Sequence, residues 1–424
     1  MESFNFIDFL KDNQILDNKK YDSLRFELDT HLHYYGNHFK YPFENSFSKK
    51  SNLLWSNLRY LYSLYKIFKN KAQGSLKEII LSNSYFTVNN ELKNLGYDVF
   101  CPSWQMTQDR NVLSSYELFT RGENIKSKFK TLAFNQLISN DFIEELNHFE
   151  EILNLFFRDK IIKALFVPND VSFFENLAIH SCKQIGVPSF IFLHGLPGRY
   201  NPIDENRSDY LIVWGEKIKE NYIKAGINPD KIFISGHPYY KKIQSNTLKN
   251  DFDNILVITK SLNGANHSDG IILGDRANLL LYLYSVEKIL KRIGVKSVRF
   301  RPHPSENGDW YLKFINTNFY KLDKGTLNQS IQNSSMVIGP TSTVFLESLY
   351  YGKNYVIYEP SNNNIDLINN RLVPPFDGTD SKIPVAKNED ELEYILKHKI
   401  IVELSCFSDY IKTPFDLSFV KKLI

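Results

Sequence analysis

The fold is decided by Lys77–Phe100, which reads KEIILSNSYFTVNNELKNLGYDVF. An apolar run ends in small polar residues at Glu78–Ser84, a helix-like stretch follows at Asn89–Leu95, and after Gly96 comes a second apolar run, Tyr97–Phe100. Strand, helix and strand with glycine at the turn is the pattern of a βαβ unit, in which the two strands lie parallel. The segment therefore predicts an α/β protein.

The same alternation continues on both sides of Lys241–Asp253, a polar segment that we interpret as a linker. Further strands are predicted at Lys163–Val167, Pro188–Leu193, Tyr210–Trp214, Lys231–Ser235, Asn254–Thr259, Ser297–Arg301, Met336–Ile338 and Tyr355–Tyr358. Helices are predicted at 126–157, Phe173–Ile185, Lys217–Ala225, Arg276–Ile293, Thr343–Tyr351 and Glu389–Lys397. We expect a helical extension over 1–76 and two Rossmann-like domains, 77–245 and 246–424, that face a central cleft.

Composition excludes several classes of protein. The 424 residues carry a net charge of only +3, so nothing indicates nucleic-acid binding. Three widely spaced cysteines without a CxxC pair do not predict a disulfide framework or a structural zinc site. The first residues lack the basic and apolar regions of a secretory signal, and no apolar run is long enough to span a bilayer. We expect a cytoplasmic protein.

The extension contains an aromatic helix, Leu53–Phe68, followed by lysines. The three- and four-residue spacing of its leucines favours packing on its own domain; they are Leu54, Leu58, Leu61 and Leu64. Basic residues beside aromatics also suit contact with a membrane surface, which we keep as the alternative.

The sequence from Arg299 to Pro304 places a histidine directly after a predicted strand. Pro302 and Pro304 restrict the backbone around His303 and remove two amide donors. An imidazole there, with the guanidinium of Arg301, suits a phosphate and the charge that it develops as a leaving group. The alternative is a turn in which His303 only caps a neighbouring loop.

A second phosphate-suited turn runs from Gly339 through Thr341, Ser342 and Thr343 between a predicted strand and a predicted helix. Hydroxyl residues at a helix start cap it, and the same amides and hydroxyls can receive a phosphate. Two such turns at equivalent strand ends favour a binding site over capping alone. Glu347, one turn into the helix, suits a ribose hydroxyl.

These motifs resemble bacterial glycosyltransferases of the GT-B type, in which the C-terminal domain holds most of the nucleotide sugar. His303-Pro304 followed by Ser342-Thr343 is similar to the paired motifs of bacterial sialyltransferases, polysialyltransferases and capsular Kdo transferases. The resemblance covers roughly residues 77–400. It implies a CMP-activated acidic sugar as donor, phosphate contact by His303, and phosphate binding by the two hydroxyls.

The general base for an acceptor hydroxyl is expected at a strand end of the first domain. Asp170 is our first candidate and Glu175 the second, although the acidic-acidic-Gly triplet of the resembling sialyltransferases is missing here. Asp170 as the cap of the following helix is the alternative.

Other candidates line the same cleft. His194 and Gly195 begin a Gly/Pro-rich loop that also contains Arg199, and these residues suit contact with the acceptor or donor. His237, in a Gly-His-Pro segment before the linker, is interpreted as a cleft wall with a mainly structural role.

The turn after the first strand of the second domain contains Lys260, Asn263 and Gly264, which we assign to the donor. The chain has neither a Walker loop nor a GxGxxG motif, so an ATPase and a dinucleotide oxidoreductase are both rejected.

Asp251 and Asp253 form a DxD triplet, but they precede a strand instead of following one. We therefore expect no metal and no cofactor beyond the nucleotide-sugar substrate, which suits a monophosphate leaving group. The expected partners are a nucleotide sugar and a glycan or glycolipid acceptor, with contact at the inner face of the cytoplasmic membrane left open.

The leading hypothesis is therefore transfer of sialic acid, Kdo or a related nonulosonate from a CMP-sugar to a surface glycan. Three alternatives stay open: a UDP- or GDP-sugar transferase, an isomerase like UDP-N-acetylglucosamine 2-epimerase, and a non-catalytic subunit of a capsule complex.

Overall fold

The computed structural model describes most of the chain. The described residues are 10, 23–28, 53–72, 78–84, 86–105, 111–200, 207–240, 247–260, 276–304, 306–362, 365–366, 368 and 372–424.

Within the described part of the chain the first sheet has seven strands, all parallel, in the order β3-β2-β1-β4-β5-β6-β7. Its strands are β1 Ile79–Ser82, β2 Asp98–Pro102, β3 Val112–Leu113, β4 Ile162–Val167, β5 Ser189–Phe192, β6 Tyr210–Val213 and β7 Ile232–Ile234. Among the described residues, the helices of this part are α1 Leu53–Ala72, α2 Phe86–Asn94, α3 Tyr116–Thr131, α4 Phe134–Leu137, α5 Asn140–Arg158, α6 Phe173–Gln184 and α7 Glu216–Lys224, and residues 23–28 are helical as well.

The second sheet has six parallel strands in the order β10-β9-β8-β11-β12-β15. They are β8 Ile255–Ile258, β9 Val298–Arg301, β10 Tyr320–Leu322, β11 Met336–Gly339, β12 Asn354–Tyr358 and β15 Val385–Ala386, and a small antiparallel pair is formed by β13 Ser361–Asn362 and β14 Ile365–Asp366. The helices are α8 Arg276–Arg292, α9 Gly308–Leu312, α10 Leu327–Gln332, α11 Val344–Tyr350, α12 Glu389–Lys397 and α13 Ser405–Tyr410.

Strands β1, β5, β8, β11 and β12 are buried at every position, as expected for parallel strands that helices cover on both faces. One apolar core continues from the first sheet into one face of the second, and a separate core lies on the other face of the second sheet. The predicted α/β fold of GT-B type is confirmed. The domain boundaries at 76/77 and 245/246 remain predictions.

Several elements differ from the sequence prediction. The helix predicted over 126–157 is in fact α3, α4 and α5, because α3 ends at Thr131 and Ser139 starts a new helix by accepting a hydrogen bond from the Phe142 amide. Strands β3, β10 and β15 were not predicted. Each has two or three residues at the edge of its sheet, too few to show a periodic pattern.

The predicted packing face of α1 is wrong at two positions. Among the α1 side chains that the structure describes, Leu58 and Leu61 are exposed and Leu64 is half-buried, whereas Ser63 and Ile67 are buried. Leu54 lies outside the described side chains. The leucines recur with helical spacing as predicted, but Leu58 and Leu61 face away from the first domain.

The last part of the chain returns to the first sheet. The Lys412 amide donates to the Trp214 carbonyl at 2.8 Å, and the Asp416 amide donates to the Ser235 carbonyl at 2.9 Å. A Cβ added to Gly236, which has φ of +81°, would overlap the carbonyl of Lys412. The two sheets are therefore tied together by this return as well as by the segment between β7 and β8.

Candidate functional site

Both sheets change strand order at their centre, between β1 and β4 in the first and between β8 and β11 in the second. Ligands of open α/β sheets bind beyond the carboxyl ends of the strands at such a switch point. A side-chain hydrogen bond spans each one: Asn83 Nδ2 donates to Glu175 Oε1 at 2.9 Å, and Lys260 Nζ donates to Thr341 Oγ1 at 3.2 Å. These two places are the candidate halves of the site.

The turn after β11 is built for close packing. A Cβ on Gly339 would overlap the Tyr355 hydroxyl and lie 2.5 Å from Ile258 Cγ1, so only glycine fits there. The Tyr355 hydroxyl donates to the Pro340 carbonyl at 2.5 Å, and the Thr341 amide donates to Glu359 Oε1 at 2.6 Å. The turn is therefore fixed by hydrogen bonds to Tyr355 of β12 and to Glu359, which directly follows β12.

The two hydroxyls of the paired motif have different contacts. Ser342 Oγ accepts a hydrogen bond from the amide of Val344, the first residue of α11, at 3.2 Å. Thr343 Oγ1 instead accepts from the Leu196 amide of the facing loop at 3.2 Å, and Gly195 lies against the same oxygen. The predicted cleft loop and the predicted donor turn are therefore brought together.

Glu359 is a site residue that sequence reasoning missed. It lies directly after β12 with no exposed surface, and it carries its charge close to Lys260. Burial lowers the pKa of Lys260, and the carboxylate of Glu359 opposes that shift. The sequence did contain a signal for Glu359, because it is a charged residue directly after a predicted strand, the same pattern that indicated His303.

His303 lies half-buried at the end of β9, next to the same group. Its amide donates to Thr259 Oγ1 at 3.1 Å, and its carbonyl accepts from the Glu306 amide at 2.8 Å. Burial, and then the positive charge of Lys260, lower the pKa of His303. The imidazole is therefore neutral at physiological pH, with one nitrogen that donates and one that accepts.

Arg301 has partners of its own in the fold. Its Nη1 lies 3.2 Å from Asp323 Oδ1 and 2.6 Å from the Gly325 carbonyl oxygen, and Arg299 contacts the other carboxylate oxygen of Asp323 at 2.8 Å. The two arginines hold β9 to the loop after β10. The guanidinium of Arg301, which we expected to bind phosphate beside His303, therefore makes structural contacts within the fold. Pro304 is exposed.

Glu347 is half-buried in the first turn of α11. Burial raises its pKa to about 7, so this carboxyl titrates near physiological pH. Its proposed contact with a ribose remains a prediction.

At the first switch point Asp170 and Glu175 are both buried. Asp170 Oδ2 accepts from the Arg207 amide at 2.9 Å, and the Asp170 carbonyl accepts from Arg207 Nη1 at 3.0 Å. The alternative role of Asp170 as helix cap is wrong, because the cap position of α6 is occupied by Ser172. Asn169 Oδ1 accepts from the amides of Val171 and Ser172, which precede the helix.

Glu27, from the N-terminal extension, was not predicted here at all. Its Oε1 accepts from the Phe173 amide at 3.0 Å at the start of α6, and Glu175 is close enough to interact electrostatically. Burial raises the pKa of Glu27 to about 8, and the charge of Glu175 adds to the rise. A contact between residues 146 positions apart leaves no local pattern from which it could be found.

The remaining candidates line the junction of the two halves. His194 is exposed, with Nδ1 3.2 Å from the Pro168 carbonyl oxygen, and Arg199 is half-buried in the same loop. His237 is buried between the rings of Trp214 and Tyr240, each 4.5 Å away, and burial lowers its pKa to about 3. His237 is thus a neutral packing residue.

Two predicted donor residues, Asn263 and Gly264, lie outside the described residues.

Asp251 and Asp253 form a turn before β8, in which the Asp253 amide donates to Asp251 Oδ1 at 3.2 Å. Within the described residues no group of three or more histidine, cysteine or acidic side chains is arranged to hold a metal ion.

No protein-family model and no curated protein matches the sequence. Solved structures match by shape. The UDP-GlcNAc 2-epimerase of Methanocaldococcus jannaschii in complex with UDP-GlcNAc and UDP has a TM-score of 0.48 at 14% identity, covering 82% of this chain and 98% of the other. The UDP-GlcNAc 2-epimerase of Neisseria meningitidis bound to UDP-GlcNAc has a TM-score of 0.45 at 12% identity, and the match covers 81% of this chain and 97% of the other. The lipopolysaccharide outer core galactosyltransferase WaaB has a TM-score of 0.42 at 11% identity, and the match covers 82% of this chain and 98% of the other. A shared fold does not determine function, which depends on the residues of the site.

Proposed function

We propose that this chain is a glycosyltransferase that moves sialic acid, Kdo or a related nonulosonate from a CMP-sugar to a hydroxyl of a bacterial surface glycan in capsule or lipopolysaccharide synthesis. The observation that carries the proposal is the group formed by Lys260, Thr341 and Glu359 at the second switch point, beside His303. The resemblance of the His-Pro and Ser-Thr motifs supports the choice of donor.

The charges of this group suit a single phosphate. Among the described residues directly after β8, β9, β11 and β12, the ionisable ones are Lys260, His303 and Glu359. The lowered pKa of His303 leaves it neutral, and the buried carboxylate of Glu359 offsets the charge of Lys260. A site with so little excess positive charge favours a monophosphate over a diphosphate.

In the proposed reaction the acceptor oxygen forms a bond to the anomeric carbon while the bond from that carbon to the phosphate oxygen breaks. The electron pair of the broken bond stays on CMP, where an N–H of His303 and the Ser342 and Thr343 hydroxyls stabilise it. The proton of the acceptor hydroxyl passes to a carboxylate of the first domain. Asp170 remains our first choice for that base and Glu175 the second.

The test is product formation by the purified protein with CMP-sialic acid or CMP-Kdo, a glycan acceptor and a chelator. We expect CMP release and a product heavier by one acidic sugar, with His303→Ala reducing the rate by about a hundredfold or more while the protein stays folded. Asp170→Asn and Glu175→Gln, compared at saturating donor, identify the base by the larger fall in kcat.

Other activities give different products in the same assay. Conversion of UDP-GlcNAc without any acceptor would establish an epimerase, and transfer from a UDP- or GDP-sugar alone would replace the donor class. Either result would contradict the proposal, as would equal rates for His303→Ala and the unchanged protein.

A further inference from the structure

The helix α1 exposes a row of large apolar and aromatic side chains. Leu58, Leu61, Tyr62, Tyr65 and Phe68 recur every three or four residues, so they lie on one side of the helix. Leu61, Tyr65 and Phe68 are 60%, 59% and 57% exposed. We call these five residues the α1 stripe. Single exposed apolar residues are common, but a contiguous set of this size marks an interaction surface.

The opposite side of α1 attaches the helix to the first domain. Ser63 and Ile67 are buried, the Tyr60 ring stacks on Phe119 at 5.5 Å, and the helix contacts β3 at the edge of the sheet. The stripe is therefore presented by a folded domain in a fixed direction.

Charge indicates what covers the stripe. The helix contains Arg59, Lys66, Lys69 and Lys71 and no acidic residue. Lys66 Nζ lies 5.1 Å from the centre of the Tyr62 ring, and the Tyr62 and Tyr65 rings stack at 6.5 Å. Tyrosine, phenylalanine and leucine bordered by lysine and arginine are typical of a helix that lies in the interface of an anionic bilayer. In protein interfaces, by contrast, lysine is depleted.

We propose that the α1 stripe binds the surface of an anionic lipid bilayer, with α1 parallel to the membrane plane. Its apolar and aromatic side chains enter the headgroup boundary, and its basic residues pair with lipid phosphates. Among the helices of the described residues, none combines the length and apolar character needed to cross a bilayer, so the contact is peripheral. This inference does not depend on the proposed donor.

The experiment is flotation of the full-length protein with two kinds of vesicle, phosphatidylcholine alone and phosphatidylcholine containing phosphatidylglycerol, at low and high salt. We expect binding to the anionic vesicles, weakened by salt. Leu61→Ser and Phe68→Ser should each weaken it by about tenfold, the effect of keeping one large apolar side chain out of the lipid. The combined change Lys66→Gln, Lys69→Gln and Lys71→Gln should remove the preference for anionic lipid.

The matched controls are Leu155→Ser on α5 and Tyr394→Ser on α12, because both side chains are 56% exposed but lie outside the stripe. They should bind vesicles like the unchanged protein. Stripe variants that bind as well as these controls would overturn the proposal. So would a protein that ignores both vesicles but forms a dimer that Leu61→Ser dissociates, since the stripe would then join two copies of the chain.

Discussion

Glu359 lies at the end of β12 with no exposed surface, where its Oε1 accepts a hydrogen bond from the Thr341 amide. A buried carboxylate is strongly unfavourable unless opposite charge and hydrogen bonds compensate it. The charge of Lys260 lies close enough to interact with Glu359, and the Thr341 amide supplies a hydrogen bond. The same carboxylate occupies an amide that would otherwise be available to a phosphate. Glu359 therefore holds the turn in place, and in the proposed donor site its charge limits the negative charge of the ligand.

Glu359→Gln tests this role because the amide oxygen can still accept from Thr341 while the charge is lost. We expect the affinity for CDP to rise by roughly tenfold relative to CMP, the effect of one charge a few ångströms away in a partly buried site. Isothermal titration calorimetry of both nucleotides measures the ratio. Glu359→Ala, which also leaves the Thr341 amide unpaired, should instead destabilise the protein by about 1–3 kcal/mol. An unchanged CDP to CMP ratio in Glu359→Gln would contradict the account.

Glu27 gives a prediction about pH. Burial raises its pKa to about 8, whereas the unfolded chain releases this proton near the ordinary value of 4.5. Between those values the folded protein holds more protons than the unfolded one, so the free energy of unfolding falls as pH rises. Glu27→Gln removes that fall and can still accept from the Phe173 amide. Its melting temperature should match the unchanged protein near about pH 5 and exceed it increasingly towards about pH 8.

The control for this experiment is Glu151→Gln, which removes a largely exposed carboxylate from α5. Its melting temperature should follow the unchanged protein at every pH. A gain in Glu27→Gln that is the same at all pH values would show that the carboxyl is not held protonated by the fold.

Among the elements, most strands with a clear apolar run were predictable, the edge strand β7 included, whereas the short edge strands β3, β10 and β15 were not. The segment around β1, α2 and β2 is a parallel pair joined by a helix, as its apolar runs and Gly96 indicate. The same strand-end reasoning found Lys260, His303 and the turn at Thr341, because the carboxyl ends of neighbouring parallel strands meet at one edge. It could not place Glu27, whose position depends on tertiary packing of the extension, nor show that Arg301 is paired with Asp323.

The turn from β11 to α11 predicts a large effect for Gly339→Ala. The added Cβ meets the Tyr355 hydroxyl and the Ile258 side chain, and both neighbours are buried. We expect a loss of roughly 1–3 kcal/mol in the free energy of unfolding, measured by chemical denaturation. Gly198→Ala is the matched control, since an added Cβ there has no neighbour within 4 Å. Equal stability of the two variants would mean that the turn is not packed as described.

In the whole molecule, hydrogen bonds join the two halves of the candidate site. Leu196 donates to Thr343 across the cleft, and the Tyr200 hydroxyl donates to the Pro374 carbonyl at 3.2 Å. Behind the cleft, the return of the chain to the first sheet stacks Phe419 on Phe233 at 5.0 Å. The loop after β5 and the turn after β11, at the carboxyl ends of the two sheets, therefore contact each other, and the proposed donor and acceptor sites lie at these strand ends.

The measurement that tests the central claim most directly is the thermal stability of the purified protein with CMP, CDP, UDP and GDP in the absence of metal, repeated with His303→Ala. A ligand that binds only the folded state adds about 2.7 kcal/mol at about a hundred times its Kd, which a melting curve detects. We predict stabilisation by CMP above the other nucleotides, reduced in His303→Ala. Stabilisation by UDP or GDP with none by CMP, or no response to any nucleotide, would contradict the assignment of a CMP-sugar to this site.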